Sequence, residues 1–158
     1  MKSEQVWVNP HKASLRLAIN AFMIGSLFII LTLIFSLGTQ KFSAFIIWQV
    51  VLAIPLLFVS SLAYTKVSYR EKSRLFDRYA WVTHTVGNDM VLNAFGIIAA
   101  EFSKTLGLVY FVLAFVTLLA YYIIDVLHDP SQKSEDAVKF VFIALIFLIG
   151  GVYPLLLP

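Results

Sequence analysis

The strongest constraint on the fold is a set of four long stretches that contain no Asp, Glu, Lys or Arg. They run over residues 17–40, 42–65, 105–124 and 140–158. Each is close to the roughly 20 residues that a helix needs to cross about 30 Å of hydrocarbon. Composition supports the same conclusion, because 60% of the 158 residues are hydrophobic and 13% are charged. We therefore expect an all-α membrane protein built as a bundle of four transmembrane helices.

The four spans are expected at about residues 15–38, 43–65, 104–125 and 137–157, within one membrane domain that covers residues 1–158. Gly38 can end the first helix, and Ser43 can cap the second. Pro55 in the second span and the pair Gly150 and Gly151 in the fourth are expected to bend or loosen their helices. The first span lacks an A-x-A-like cleavage site, so we expect it to remain as an anchor.

The distribution of Lys and Arg predicts the orientation. Nine of them flank one side of the predicted bundle: Lys2, Lys12, Arg16, Lys66, Arg70, Lys72, Arg74, Arg78 and Lys104. Three flank the other side: Lys41, Lys133 and Lys139. Because positive residues favour the cytoplasmic face, both termini are predicted to lie in the cytoplasm, at a plasma or inner membrane. The net charge of +3 is then a consequence of topology, and no nucleic-acid partner is expected.

The segment between the second and third spans, residues 66–103, is predicted to project into the cytoplasm as a helical hairpin. Its two arms are extensions of helices 2 and 3, joined at "THTVGN" with Gly87 available for a positive φ. An apolar stripe that includes Phe76 and Ala80 would then pack on Leu92 and Phe95. The alternative is a loop followed by a helix over residues 90–102 that lies in the membrane interface.

A ladder of cations recurs every four residues at the start of this segment. It consists of Lys66, Arg70, Arg74 and Arg78. On one helix these side chains share a face and repel each other. Anionic lipid headgroups are the favoured partner, worth about 1 kcal/mol per cation near the surface. The alternatives are acids of a neighbouring subunit or soluble partner, and a phosphate-bearing ligand held by the arginines.

Polar residues within and beside the spans are the candidates for a conducting path. Asn20 and Gln49 are costly in hydrocarbon unless they bond to another helix or line a water-filled path. Glu101 and Asp125 lie near opposite ends of the third span and are candidates for the mouths of a cation path. Glu101 is also explained as an acid in the first helical turn. The four apolar stretches contain no Asp, Glu, Lys or Arg, which argues against a proton-coupled or ion-coupled transporter.

Chemical motifs are sparse. His84, Asn88 and Asp89 are predicted to cap the tip of the hairpin, with a ligand or metal as the alternative. His11 and His84 are predicted on the opposite side of the membrane from His128, so no triple-histidine metal site is expected within one subunit. The sequence contains no cysteine and none of the common hydrolase or nucleotide motifs. No catalytic residue, metal or cofactor is predicted, and an enzyme is the less favoured class.

These observations favour a channel or pore. Four helices leave little room for a route through one subunit, so conduction implies a homo-oligomer around a central axis. The basic hairpin would dock lipid, a ligand or a soluble cytoplasmic partner. One alternative is an accessory or scaffold subunit without catalysis or conduction, and another is a small intramembrane lipid-modifying enzyme.

Overall fold

The computed structural model describes residues 10–39, 42–69, 74–128 and 133–156, and its regular structure in these ranges is helical. The helices are α1 (Pro10–Leu37), α2 (Ala44–Tyr69), α3 (Arg74–Phe102), α4 (Lys104–His128) and α5 (Lys133–Phe147). A π-helical segment (Leu148–Val152) and a short helix α6 (Tyr153–Leu156) continue directly from α5.

Four helices are long and apolar enough to cross a membrane, which confirms the prediction from the charge-free stretches. The candidate spans are His11–Leu37, Ala44–Tyr69, Lys104–His128 and Lys133–Leu156. Between 11% and 33% of the most apolar window of each span is buried within the chain. Most of this apolar surface therefore faces outward, as expected of helices that contact lipid or neighbouring subunits.

Several predicted helix signals are confirmed. Gly38 adopts a positive φ of 92° directly after α1, a conformation that suits the C-terminus of a helix. The Ser43 hydroxyl accepts a hydrogen bond of 3.3 Å from the backbone N–H of Phe45 at the start of α2. Gly150 and Gly151 lie in the π-helical segment, so the regular α-helical ladder is interrupted there.

The predicted turn at "THTVGN" is wrong. Residues 83–88 lie inside α3, which is one continuous helix of 29 residues, and Gly87 has no positive φ. Its missing side chain serves packing instead, because a Cβ at Gly87 would lie 2.8 Å from Leu57 Cγ of α2. The second helix also ends at Tyr69, and the connection over residues 70–73 lies outside the described residues. Which side of the membrane this connection occupies stays a prediction.

The predicted packing of α3 is wrong in its second half. Ala80 is buried and Phe76 is partly buried, but their expected partners Leu92 and Phe95 are 41% and 42% exposed. The polar side faces inward, and Asp89 and Asn93 are 5% and 0% exposed. The buried face of this half also contains Val91, Ala94 and Ile97, so it is mixed rather than polar. Exposed apolar side chains on a helix that buries an Asp and an Asn are compatible with a hydrocarbon environment.

The chain forms two compact units. The first consists of Met1–Leu37 with Val50–Asn88, and the second of Gly38–Gln49 with Asp89–Pro158, so that α2 and α3 contribute to both. One hydrophobic cluster of the first unit has Leu17 and Phe76 packed against its five buried residues, which are Ala13, Ala63, Tyr64, Val67 and Ala80.

The second unit is built around close contacts of small residues. A Cβ on Gly107 of α4 would lie 2.8 Å from the Cα of Ala100 of α3, and a Cβ on Gly96 of α3 would collide with the Phe111 ring. These contacts make α3 and α4 an antiparallel pair in which only Ser103 separates the two helices. The Phe111 ring also meets the Phe147 ring of α5, with a centroid separation of 5.2 Å.

Candidate functional site

Three buried polar side chains of the second unit are considered together. Gln49 comes from the start of α2, and Asp89 and Asn93 come from α3; they are 7%, 5% and 0% exposed. The four-residue spacing places Asp89 and Asn93 one turn apart on the same face of α3. Asn93 and Gln49 both lie near Gly150. We refer to Gln49, Asp89 and Asn93 as the acceptor cluster.

The two amides of the acceptor cluster use their nitrogens and leave their oxygens unpaired. Gln49 Nε2 donates to the Gly150 carbonyl oxygen at 2.8 Å, and Asn93 Nδ2 donates to the Ile146 carbonyl oxygen at 3.2 Å. A carbonyl oxygen can only accept, so each amide must turn its NH₂ group toward it. The side-chain oxygens are fixed in the remaining directions.

Within the described residues, three buried side-chain oxygens have no hydrogen-bond donor. They are Gln49 Oε1, Asp89 Oδ2 and Asn93 Oδ1, and all three belong to the acceptor cluster. A buried polar atom without a partner costs about 1–3 kcal/mol, and a charged one costs more. A carboxylate in such surroundings is stable when it binds a proton or a cation. The acceptor cluster is therefore a site short of positive charge or donors.

The π-helical segment gives these amides their space. A Cβ on Gly150 would lie 2.5 Å from Asn93 Nδ2, and a Cβ on Gly151 would lie 2.5 Å from Asn93 Oδ1. Only glycine allows the amide to approach so closely. π-Helical turns occur frequently at functional sites, and here the turn lies directly against the acceptor cluster.

The first unit contains a second group of polar residues, with different chemistry. Asn20 Nδ2 donates to Ser60 Oγ at 3.1 Å and to the Leu57 carbonyl oxygen at 3.3 Å. His84 Nδ1 lies 2.6 Å from Asn20 Oδ1, and Asn88 Nδ2 donates to the His84 carbonyl oxygen at 2.8 Å. Because Asn20 Oδ1 can only accept, the Nδ1 of His84 carries the hydrogen in this contact. We call Asn20, Ser60, His84 and Asn88 the amide network.

The amide network is closed by bonds to the backbone and by rings. Ser60 Oγ donates to the Ala80 carbonyl oxygen at 2.9 Å. The Tyr64 ring meets His84 edge-on at 5.9 Å, and the Tyr64 hydroxyl accepts a hydrogen bond of 2.8 Å from Arg16 Nη1. In the described part of the chain, no buried side-chain atom of this network lacks a partner. The network joins α1, α2 and α3 and has the properties of a structural element.

The predicted cation ladder is divided between two helices. Lys66 lies in α2, whereas Arg74 and Arg78 lie in α3; all three are exposed, and Arg70 lies outside the described residues. Lys66 Nζ is 4.8 Å from the centroid of the Phe76 ring. The four-residue register therefore does not continue along one helix. Its binding of lipid headgroups stays a prediction.

The other predicted site residues are separated as well. Glu101 lies in the last turn of α3, not in the first turn of a helix, and is exposed at an open pocket of about 400 Å³ that Lys104 and Ser43 also line. Asp125 is half-buried near the far end of α4. The predicted tip residues do not cap a tip, since His84 and Asn88 belong to the amide network and Asp89 to the acceptor cluster.

Sequence analysis did not bring these partners together. Asn20 and Gln49 stood out because an amide in an apolar stretch needs a partner. Tyr64 and Asn93 carried no such signal, since tyrosine is common in membrane helices and Asn93 lay in a segment interpreted as cytoplasmic. Among the residues with described positions, no group of three or more His, Cys, Asp or Glu could hold a metal ion.

Comparison of the chain with protein-family models, with curated proteins and with solved structures finds no match.

Proposed function

We propose that this chain is a cation-conducting membrane protein of channel or pore type, in which the polar face of α3 meets the ion. The observation that carries this proposal is the burial of Asp89 one helical turn from Asn93, with an unpaired oxygen on each side chain. Ionisable residues are rare within membrane-embedded protein, and they commonly mark ion pathways.

The packing of α3 supports its place in the bilayer. In the second unit its residues Gly96 and Ala100 contact Phe111 and Gly107, which belong to a candidate span. Its outward face is apolar, with Phe95 42% exposed. From Tyr79 to Ala100 the sequence contains one Asp and no Glu, Lys or Arg. A stretch of 22 residues is long enough to cross the hydrocarbon.

Asp89 makes ion coupling compatible with the chain. Sequence analysis disfavoured an ion-coupled transporter because the four apolar stretches hold no Asp, Glu, Lys or Arg. With α3 as a fifth crossing, Asp89 lies near the middle of a membrane helix. Coupling and conducting proteins place such residues near the midplane.

Five crossings also improve the charge asymmetry. They place on one side the segment before α1, the connection from α2 to α3, and the connection from α4 to α5. Ten of the 12 Lys and Arg then flank that side, and Lys41 and Lys104 flank the other. The bias of ten to two exceeds the nine to three of the four-span arrangement. It puts the N-terminus in the cytoplasm and the C-terminus on the opposite side.

The remaining partners follow from the same arrangement. The exposed Lys66, Arg74 and Arg78 lie where anionic headgroups of the cytoplasmic leaflet would meet them. The outward apolar faces of the spans contact lipid and, around a conducting axis, further copies of the chain. A homo-oligomer in a plasma or inner membrane is the expected assembly.

The test is cation flux into liposomes that contain the purified protein. Na⁺, K⁺ and H⁺ are each offered with a matched counter-ion pathway. We expect wild-type flux above that of empty liposomes, and an Asp89→Asn variant reduced roughly tenfold to a hundredfold, because a charged contact is worth about 1.5–3 kcal/mol. Asp77→Asn removes a carboxylate from the first turn of the same helix and should retain the flux.

Wild-type protein that reconstitutes as a folded species and conducts none of the three cations would exclude this function. The chain would then be better described as an accessory or scaffold subunit. If Asp89→Asn left the cation flux unchanged, the conducting function would stand, but the conduction path would not involve the polar face of α3.

A further inference from the structure

We infer that the acceptor cluster of Gln49, Asp89 and Asn93 is a binding site for one dehydrated monovalent cation of the Na⁺ class. This inference deepens the proposed function and rests on it for the purpose of the site, although binding can be measured without any transport. Its basis is the number, burial and charge of the unpaired oxygens in the second unit.

The number of unpaired oxygens favours a metal cation over a proton. Three side-chain oxygens lack donors in the described structure. A proton on Asp89 would turn its own oxygen into a donor and satisfy one amide oxygen. The other amide oxygen would remain unpaired and buried, at a cost of about 1–3 kcal/mol. A cation bound between the three oxygens satisfies all of them at once.

Charge selects a monovalent ion. The cluster contains one carboxylate and two neutral amides, so its formal charge is −1 when Asp89 is ionised. Lys139 forms ion pairs with Glu135 and Asp136, and no ion pair of Asp89 is seen in the described part of the chain. One monovalent cation neutralises the site. A divalent ion would leave an uncompensated positive charge in a buried environment.

The oxygens are held in place before any ion arrives. The Gln49 amide is fixed by its bond to the Gly150 carbonyl, and the Asn93 amide by its bond to the Ile146 carbonyl. Neither amide can turn over, because its oxygen would then face another oxygen. The cost of ordering these ligands is therefore met on folding, and binding benefits from this preorganisation.

Helix geometry and space favour Na⁺ over K⁺. Interrupted helices in membrane proteins supply backbone and side-chain oxygens to Na⁺, and the π-helical segment Leu148–Val152 lies against Asn93. Asn93 packs directly on Gly150 and Gly151, so its amide lies in closely packed surroundings. We expect such surroundings to accept a small cation more readily than a large one.

The test is thermal unfolding of the detergent-purified protein at constant ionic strength in NaCl, KCl or choline chloride. A ligand that binds only the native state raises the unfolding midpoint in a saturable way. We expect the midpoint of the wild-type protein to rise with NaCl, to rise less with KCl, and to stay unchanged with choline chloride.

Asp89→Asn supplies the decisive variant. It preserves the shape of the side chain and adds an NH₂ group that can donate to the neighbouring oxygens. We expect it to fold, to unfold in choline chloride at a midpoint equal to or above that of the wild type, and to lose the Na⁺-dependent rise. Asp77→Asn is the matched control and should keep the full rise. Sodium NMR tests Na⁺ binding to the wild type without any variant, because the sodium signal broadens when Na⁺ binds to the protein.

Three results would overturn the site. The first is an unfolding midpoint of the folded wild type that does not change with Na⁺. The second is a Na⁺-dependent rise of the same size in Asp89→Asn. The third is a wild-type midpoint that depends on pH but not on Na⁺, with no pH dependence in Asp89→Asn. The last result would assign the cluster to a proton. Na⁺ binding without flux would retain the site and remove the conducting function, whereas flux without Na⁺ binding would do the reverse.

Discussion

The two halves of α3 bury polar groups in opposite ways. In the first half, residues 74–88, His84 and Asn88 take part in a network in which the buried side-chain atoms have partners. In the second half, residues 89–102, Asp89 and Asn93 leave acceptor oxygens unpaired. One helix therefore combines a region whose polar groups bond to neighbouring helices with a region whose polar groups are available to bind a ligand.

Packing follows the same division. The first half approaches α2 at Gly87, where an added Cβ would meet atoms of the Leu57 side chain. The second half approaches α4 at Ala100, where a Cβ on Gly107 would meet backbone atoms. A side chain can move to relieve a collision, whereas two helix backbones cannot. The second half is thus positioned more rigidly, as a preorganised ligand site requires.

The largest expected effect comes from separating α3 and α4 in the second half. Gly107→Val places branched carbons against the Ala100 backbone and should destabilise the protein by about 3 kcal/mol, at the upper end of typical overpacking costs. The measurement is the thermal unfolding midpoint in detergent. Gly25→Ala in α1 is the control, since nothing lies within 4 Å of an added Cβ there. A Gly107→Val variant as stable as Gly25→Ala would contradict the close contact.

An intermediate effect should separate the two kinds of amide. Asn20→Ala leaves His84 without the acceptor for its Nδ1–H and should cost about 1–3 kcal/mol. Asn93→Ala also removes an unpaired oxygen, so in choline chloride it should destabilise the protein less than Asn20→Ala does. In NaCl the cost of Asn93→Ala should rise, because the variant loses a ligand, while the cost of Asn20→Ala should not change.

These two variants are compared by their unfolding midpoints in each salt. If the two variants lost the same stability in choline chloride, and if NaCl changed neither loss, the distinction between the halves of α3 would be wrong.

The smallest expected effect is that of Ser60→Ala in the amide network. Ser60 donates to the Ala80 carbonyl oxygen and accepts from Asn20 Nδ2. Hydrogen bonds between membrane helices average ~0.6 kcal/mol in double-mutant cycles, so we expect a cost of this size. A cycle that combines Ser60→Ala with Asn20→Ala should be non-additive, because the two residues share a bond. Strict additivity would show that their contact contributes nothing to stability.

The four apolar helices were predictable because hydropathy depends on composition alone. Gly38, Ser43 and the Gly150–Gly151 pair were predictable because each acts through local backbone chemistry. The third helix was interpreted wrongly, because its polar residues from Thr83 to Asp89 resemble a connection exposed to water. Helical periodicity gives the same pattern whether the polar face points outward or inward. Only the surroundings of α3 distinguish these two cases.

The candidate site was predictable in part for the same reason. Gln49 stood out within an apolar stretch, where an amide needs a partner. Asp89 was noticed for the wrong structural role, and Asn93 was not proposed as a site residue. Asn93 lies near Gln49 because α2 and α3 both contact the segment after α5. The hydrogen bond between Gln49 and Gly150, for example, joins residues that are 101 positions apart in the sequence. Sequence spacing carries no information about such a contact.

The single residue between α3 and α4 has a consequence for biogenesis. The two helices are antiparallel partners with only Ser103 between them, so the proposed crossing of the membrane by α3 would be coupled to that of α4. Alone, α3 carries Asp89, Asn93 and His84 and would partition poorly into lipid, since a central Asp costs about 2.5–3.5 kcal/mol on insertion scales. Attached to α4, it can enter as one half of a hairpin whose apolar partner drives the step. Lengthening the Ser103 connection with glycines would then leave more chains with α3 outside the bilayer, which glycosylation mapping can detect.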